Sequence, residues 1–174
     1  MTKKIVITGP ESTGKTTLAS LLSEHYQMPK VAECARDYLN HLERDYTFDD
    51  VILMAKKQLK LESEATKNNT DFIFLDTDLL VFKIWIKEKY NKEIDWIEEH
   101  LKSSTGKTYL LCDIDIPWEF DELREHPNPT DRLRLFEAYK TQLNNYQLTY
   151  HVISGNVKER MDKCISIFTT FKND

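Results

Sequence analysis

Short apolar runs alternate with longer amphipathic stretches along this chain. The apolar runs are rich in β-branched and aromatic residues and have the length of buried strands. Their alternation with helical patterns predicts a three-layer α/β fold, in which helices cover both faces of a five-stranded parallel sheet. The predicted strands are 5–8, 29–33, 72–75 with Asp76 at its end, 108–112 and 150–153.

Amphipathic or strongly helix-forming stretches connect these runs. The segment 115–131, which follows the fourth strand, is polar and contains prolines, so we predict that it forms a mobile lid. No linker, repeat or low-complexity tract interrupts the pattern, and we expect a single domain over residues 1–174. The predicted helices are 15–26, 48–67, 79–90, 94–101, 132–145 and 157–168.

The bulk composition argues against some classes of partner. The net charge of −5 at pH 7 argues against nucleic-acid binding. No apolar run approaches the roughly 18 residues of a membrane span, and no signal segment precedes the first strand. Cys34, Cys112 and Cys164 lack metal-ligand spacing and are expected to be reduced thiols. We therefore predict a cytoplasmic protein without a membrane or nucleic-acid partner, and leave its oligomeric state open.

The first predicted strand leads directly into a glycine-containing loop and then a helix. Residues 9–16 match the pattern G-x-x-x-x-G-K-(S/T). Glycines permit close backbone approach, the N–H groups of such a loop surround an anion, and the helix N-terminus adds positive potential. Lys15 can reach the β- and γ-phosphates, and the Thr16 hydroxyl can bind Mg²⁺. The motif predicts a site for ATP and Mg²⁺ at Gly9, Glu11, Ser12, Thr13, Gly14, Lys15, Thr16 and Thr17.

A second lysine-containing stretch, 104–108, is similar to the end of this loop. Leu101 stands where its first glycine would be needed, and the stretch precedes a strand instead of following one. We therefore interpret it as a turn, and expect the phosphate site only at residues 9–17.

Acidic residues follow the third predicted strand. Ligands of parallel sheets lie beyond the carboxyl ends of the strands, so Asp76 is predicted to bind Mg²⁺ with Thr16 or to contact the substrate. Asp78 is a second substrate candidate, although it also suits the N-cap of the next helix. Thr77 stands where many motor-type ATPases carry a glutamate, and the guanine signature Asn-Lys-x-Asp is absent. Both features favour phosphoryl transfer to the hydroxyl of a bound acceptor.

Charged residues also follow the second predicted strand. A carboxylate of Glu33 or Asp37 can accept the proton of an acceptor hydroxyl, and Arg36 can bind a phosphoryl oxygen or hold the carboxylates. We predict that these three residues are catalytic and line the acceptor site. The alternative is a surface ion pair between Glu33 and Arg36 on a helix.

Two arginines and a tryptophan belong to the lid region. Arginines in a lid can close over the phosphates and stabilise the charge of the phosphoryl group during transfer. We predict that Arg124 is catalytic and that Arg132 binds the nucleotide. Trp118 is a candidate for stacking on the substrate ring. The alternatives are a solvated charged loop for the arginines and buried packing for the tryptophan.

A series of short motifs, taken together, resembles the ribosylnicotinamide kinase domains of NadR-type proteins. The motifs occur in one order across residues 3–168: the phosphate loop, Glu-Cys-Ala-Arg-Asp-Tyr at 33–38, Asp-Thr-Asp at 76–78, Pro-Trp at 117–118, Leu-Arg at 123–124 and Asp-Arg at 131–132. The resemblance implies a nucleoside or nucleotide kinase fold with a lid. It implies phosphorylation of nicotinamide riboside at its 5′-hydroxyl, with Glu33 as first and Asp37 as second choice for the base.

Two departures from the family pattern bear on function. We find no adenylyltransferase or DNA-binding domain, so the chain is not expected to make NAD from the mononucleotide by itself. Ala32 stands where some family members are expected to carry an aromatic residue. If that residue stacks on the nicotinamide ring, then either Trp118, Tyr38 or Trp85 does so here or the acceptor differs. Another nucleoside or a nucleoside monophosphate remains an alternative acceptor, and a non-catalytic module that binds nucleotide or phosphoinositide remains an alternative function.

Overall fold

The computed structural model describes residues 2–68 and 70–171. Its sheet has five parallel strands in the order β2-β3-β1-β4-β5, which confirms the predicted architecture. The central strands are buried on both faces, as their continuous apolar sequences require, and Val6 of β1 lies between Leu75 and Tyr109. The strands are β1 Lys3–Thr8, β2 Lys30–Val31, β3 Phe72–Asp76, β4 Lys107–Cys112 and β5 Thr149–Ile153.

Helices cover both faces of this sheet and form two apolar cores. On one face, Leu18 and Leu22 of the first helix and Phe168 of the last pack against Ile5 and Phe74. The remaining helices contribute to the larger core on the other face. The helices are α1 Lys15–Tyr26, α2 Cys34–Asn40, α3 Phe48–Ala65, α4 Leu79–Tyr90, α5 Asp95–Lys102, α6 Pro129–Asn145 and α7 Val157–Thr170, and a 3₁₀ turn at Thr66–Asn68 follows α3.

Three elements differ most from the prediction. The sequence pattern did not predict α2, and β2 is two residues long instead of five. Gln58 of α3 accepts a hydrogen bond from the Cys34 backbone N–H at 2.9 Å, so a contact distant in sequence helps to hold the start of α2. Helix α6 begins at Pro129 because Asn128 caps it and proline suits the first turn of a helix.

The segment 115–128 connects β4 to α6 and contacts the loop between β1 and α1. Leu123 and Arg124 donate backbone hydrogen bonds to Asp121, forming a tight turn. Phe120 is 80% exposed next to this turn. The segment therefore lies where the predicted lid was expected.

All three cysteines are buried and free. Burial raises the pKa of Cys34 and Cys112 to about 11 and that of Cys164 to about 12. These thiols therefore remain protonated at neutral pH and are shielded from reagents. Among the residues of the described ranges, no helix is long and apolar enough to cross a membrane.

Candidate active site

The loop at residues 9–14 joins the central strand β1 to α1. Gly9 has φ 136°, and a Cβ at this position would lie 2.8 Å from the Cys112 carbonyl oxygen. Gly14 has φ 75° immediately before the first residue of α1. Both positions need glycine, because a side chain there would meet backbone or force a strained conformation. The sequence motif therefore forms the turn that a phosphate-binding loop requires.

Lys15 folds back across the loop. Its Nζ donates to the Pro10 carbonyl oxygen at 2.7 Å, and the Thr13 hydroxyl donates to the same oxygen at 2.7 Å. The Lys15 ammonium is therefore held at the rim of the cavity described below, where it can meet an anionic ligand.

Asp76 lies at the end of β3, opposite Ile7 of β1. Burial raises the pKa of its carboxyl group, while the Thr16 hydroxyl and then Lys15 act to lower that pKa. Oδ1 of Asp76 is buried and has no hydrogen-bond partner among the described residues. A carboxylate beside a hydroxyl supplies the oxygen ligands that Mg²⁺ prefers, so Thr16 and Asp76 fit the predicted metal.

Glu33 precedes α2 and lines the same cavity as the phosphate loop. Burial raises the pKa of its carboxyl group; Lys15 and Arg36 act to lower the pKa, and Asp76 acts to raise it. The structure thus brings Glu33 into the electrostatic neighbourhood of Lys15 and Asp76. A shielded carboxylate with a raised pKa has the properties of a general base.

The other two charged residues of this segment differ in placement. Arg36 lines the cavity and pairs with Asp121 of the lid at 2.9 Å. The side chain of Asp37 is 67% exposed and pairs with His41 and Lys57 at 3.6 and 3.7 Å. Asp37 is not among the residues of the cavity wall, and its role in the acceptor site stays a prediction.

Asp78 does not face the cavity. Its side chain is fully buried, accepts the Leu80 backbone N–H at 3.0 Å as the cap of α4, and accepts the Tyr109 hydroxyl at 2.8 Å. Lys107, also buried, pairs with Asp78 at 2.9 Å and with Glu62 at 2.8 Å. This placement corrects the prediction that Asp78 contacts the substrate. Lys107 is the lysine of the stretch 104–108, and it follows a turn, as the sequence predicted.

One cavity of about 600 Å³ extends from the phosphate loop to α4. The phosphate loop, Glu33 and the side chains of Trp85, Glu88 and Tyr139 all line this cavity. A nucleotide and a second small molecule could therefore occupy the cavity together. Residues at the start of α7 complete the other end: Gly155, Asn156, Val157 and Arg160.

The lid contacts the phosphate loop through two adjacent residues. The Glu11 carboxylate accepts hydrogen bonds from the backbone N–H groups of Glu125 and His126 at 2.9 and 2.7 Å. The Ser12 hydroxyl accepts a hydrogen bond from Arg124 Nη1 at 3.2 Å. Arg124 lines the cavity, as its predicted role requires.

Arg132 is nearly buried at the start of α6. Its Nη2 donates to the carbonyl oxygens of Ser12 at 3.2 Å and Ile116 at 3.1 Å. Burial lowers its pKa, with Glu11 acting in the opposite direction. The structure therefore places Arg132 behind the phosphate loop, where it connects the loop to the lid, and not in the cavity wall.

Trp85 is the one of the three candidate stacking residues that lines the cavity. Its Nε1 donates to the Tyr46 hydroxyl at 3.0 Å, which fixes the indole. Tyr38 instead donates to Asp50 at 2.7 Å. Trp118 packs edge-on against Phe120 and does not belong to the cavity wall, so its contact with the substrate stays a prediction.

Arg160 of α7 contacts the phosphate loop, although no sequence pattern predicted it. This buried arginine donates to the carbonyl oxygens of Thr13 at 2.7 Å and Gly155 at 2.8 Å, and it pairs with Asp115. It therefore ties the phosphate loop to the segments that follow β4 and β5. One arginine within a polar helix carries no recognisable signal, because its partners lie far away in sequence.

The phosphate loop after β1, the carboxylate at the end of β3 and the covering lid define a P-loop protein with the architecture of nucleoside and nucleotide kinases. Residues 4–160 match the family described as an AAA domain, and the chain belongs to this family.

A curated relative matches almost the whole chain. The trifunctional NAD biosynthesis/regulator protein NadR of Salmonella typhimurium is 24% identical over 172 residues, which are 95% of this chain and 42% of that protein. The chain therefore spans less than half the length of this relative. The predicted resemblance to NadR-type proteins is confirmed.

Solved structures share the fold. A NadR protein in complex with NR has a TM-score of 0.71 at 23% identity, covering 90% of this chain and 46% of that chain. Deoxyadenosine kinase from M. mycoides with bound dATP has a TM-score of 0.71 at 18% identity, covering 96% and 99%. These similarities show that the chain shares the fold of the two proteins.

Proposed function

We propose that this protein transfers the γ-phosphoryl group of ATP to the 5′-hydroxyl of a ribonucleoside, with nicotinamide riboside as acceptor and nicotinamide mononucleotide as product. The observation that carries the proposal is the position of Glu33, in one cavity with Lys15 of the phosphate loop. A base and a phosphate-binding group in one shielded space are the minimum that phosphoryl transfer needs.

The roles of the residues follow from this arrangement. Glu33 accepts the proton that the acceptor hydroxyl loses as its oxygen bonds to the γ-phosphorus and the bond to the ADP oxygen breaks. Lys15 and Arg124 neutralise the phosphate oxygens during this transfer. Thr16 and Asp76 would hold Mg²⁺, which supplies additional neutralisation of phosphate charge.

The charges near α4 favour a nucleoside over a nucleoside monophosphate. Arg36 and Lys89 are cations of the cavity wall, and both already pair with lid carboxylates, Asp121 at 2.9 Å and Glu125 at 2.7 Å. A second phosphate group would need cations that are free to bind it. An uncharged ribose places no such demand on these pairs.

Trp85 supports nicotinamide riboside among the nucleosides. The nicotinamide ring of this compound carries a positive charge, and the face of an indole attracts cations. The NadR protein with the same fold binds NR, the usual abbreviation of nicotinamide riboside. Trp85 would then replace the aromatic residue that is expected at Ala32.

The test is ADP release from ATP and Mg²⁺ with nicotinamide riboside, beside other nucleosides and monophosphates, with chromatography of the product. We expect turnover that depends on nicotinamide riboside and yields the mononucleotide. Lys15→Ala should reduce kcat by about 100-fold or more, because it removes a phosphate-binding charge. Turnover only with another acceptor would show that this other molecule, and not nicotinamide riboside, is the substrate. Nucleotide binding without any acceptor-dependent turnover would instead support a non-catalytic binding module.

A further inference from the structure

The Glu11 carboxylate belongs to the phosphate loop but is occupied by the lid. Its Oε1 and Oε2 accept the Glu125 backbone N–H at 3.1 and 2.9 Å. Its Oε1 also lies 2.7 Å from the backbone nitrogen and 2.6 Å from Nδ1 of His126. A carboxylate that receives several N–H groups forms strong, charge-assisted hydrogen bonds. Glu11 therefore anchors the lid at residues 125–126, which lie more than a hundred positions after Glu11 in the sequence.

A second anchor lies at the next residue of the loop. Ser12 has a left-handed backbone conformation, with φ 56°, and its hydroxyl accepts the Glu119 backbone N–H at 3.0 Å. The turn that contains Arg124 lies between the attachment at residue 119 and the attachment at 125–126. Fixing both ends of this turn restricts where the Arg124 side chain can go.

We propose that Glu11 is a positioning residue: it seats lid residues 125–126 on the phosphate loop and thereby places Arg124 over the transferred phosphoryl group. The effect on turnover rests on the proposed kinase function, but the anchoring itself does not. Glu11 acts through Arg124 and not on the nucleotide, in contrast to the direct nucleotide contact that the motif predicts.

Hydrogen–deuterium exchange of the nucleotide-free protein tests the anchoring. In Glu11→Ala we expect the amides of residues 125–126 to exchange about tenfold faster or more, because each loses a charged acceptor. Glu11→Gln keeps one acceptor oxygen and should show an intermediate increase. The control Glu122→Gln, at an exposed lid position, should leave this exchange unchanged. Unchanged lid exchange in Glu11→Ala would overturn the proposal.

A double-mutant cycle with Arg124→Ala tests the route of the effect. If Glu11 acts through Arg124, Glu11→Ala should lower kcat about tenfold or more in the parent protein and much less in the Arg124→Ala background. The KM for ATP should change little. Additive losses, with a higher dissociation constant for ATP, would show that Glu11 contacts the nucleotide and would overturn the proposal. If the parent protein transfers no phosphoryl group, the proposed function fails, and the exchange result still decides the anchoring.

Discussion

Glu33 illustrates how a single carboxyl group can favour catalysis and oppose folding. Because burial raises its pKa, folding stabilises the ionised carboxylate less than the protonated form, so the ionised form costs stability near neutral pH. In the proposed reaction, the same raised pKa would bring this base closer to neutral pH. Residues with such opposing effects are typical of functional sites.

Glu33→Gln is expected to lower kcat by about 100- to 10,000-fold, the usual contribution of a general base. In the parent protein, kcat/KM should fall as the pH decreases through a pKa above the ordinary 4.5 of glutamate. This acid limb is measured by steady-state kinetics across pH. A fully active Glu33→Gln protein would show that Glu33 is not the base. Asp37→Asn, at an exposed position, serves as the matched control.

The same substitution is expected to raise Tm at pH 7. A folded pKa above the unfolded value means that the ionised carboxylate destabilises the fold above the folded pKa, and this penalty vanishes below the unfolded pKa. The stabilisation by Glu33→Gln should therefore shrink as the pH approaches 4. Calorimetry of both proteins across pH measures it; a lower Tm for the variant at pH 7 would contradict the sign.

Trp85→Ala is expected to raise the KM for the acceptor by about 10- to 100-fold, because stacking of one base on an aromatic ring contributes about 1–3 kcal/mol. Trp85→Phe should retain much of the affinity, while Trp118→Ala should have little effect, since Trp118 lies outside the cavity wall. Acceptor titration at saturating ATP measures these values. An equal loss of affinity in Trp118→Ala would mean that Trp118 of the lid also stacks on the acceptor.

At the scale of elements, the buried charges around Lys107 hold three parts of the fold together. Lys107 begins β4, Glu62 lies on α3, and Asp78 caps α4, whose side chains line the cavity. Burial alone would lower the pKa of Lys107, but Asp78 and Glu62 raise it above its ordinary value. The cluster therefore keeps the lysine charged and orients α4.

Lys107→Met is expected to reduce the free energy of unfolding by about 3–5 kcal/mol, because two buried carboxylates lose a cationic partner. Lys158→Met removes an exposed pair with Asp162 and should change the stability by less than about 0.5 kcal/mol. Urea unfolding of both variants provides the comparison. Equal, small effects would mean that the cluster contributes no net stability.

The success of sequence analysis differed between elements for physical reasons. The phosphate loop and α4 were predicted correctly, since the first is a contiguous motif and the second a strongly apolar helix with a local cap. Helix α2 has only seven residues, and a tertiary contact with Gln58 holds its start. The exposure of Asp37 and the burial of Asp78 depend on packing, which one sequence does not show.

At the scale of the whole molecule, the cavity walls come from distant parts of the chain. Lys15, Glu33, Trp85, Arg124 and Arg160 belong to five different segments, and they meet because parallel strands end at one edge of the sheet. A ligand that contacts several segments at once binds the folded state and not the unfolded chain.

ATP with Mg²⁺ should therefore stabilise the protein by about 2.7 kcal/mol at a concentration 100-fold above its dissociation constant. Thermal unfolding with increasing nucleotide measures the shift in Tm. Lys15→Ala should lose most of this shift, because it removes a charge that binds the phosphates. An identical shift in both proteins would place the nucleotide elsewhere.

The buried, protonated thiols have a practical consequence for observing the lid in solution. Cys34, Cys112 and Cys164 resist alkylation in the native protein, so a cysteine substituted for Phe120 would be the accessible thiol in the described part of the chain. A fluorophore could then be attached at the lid without first removing the native cysteines. Single-molecule fluorescence could thus follow the lid in the otherwise unmodified protein.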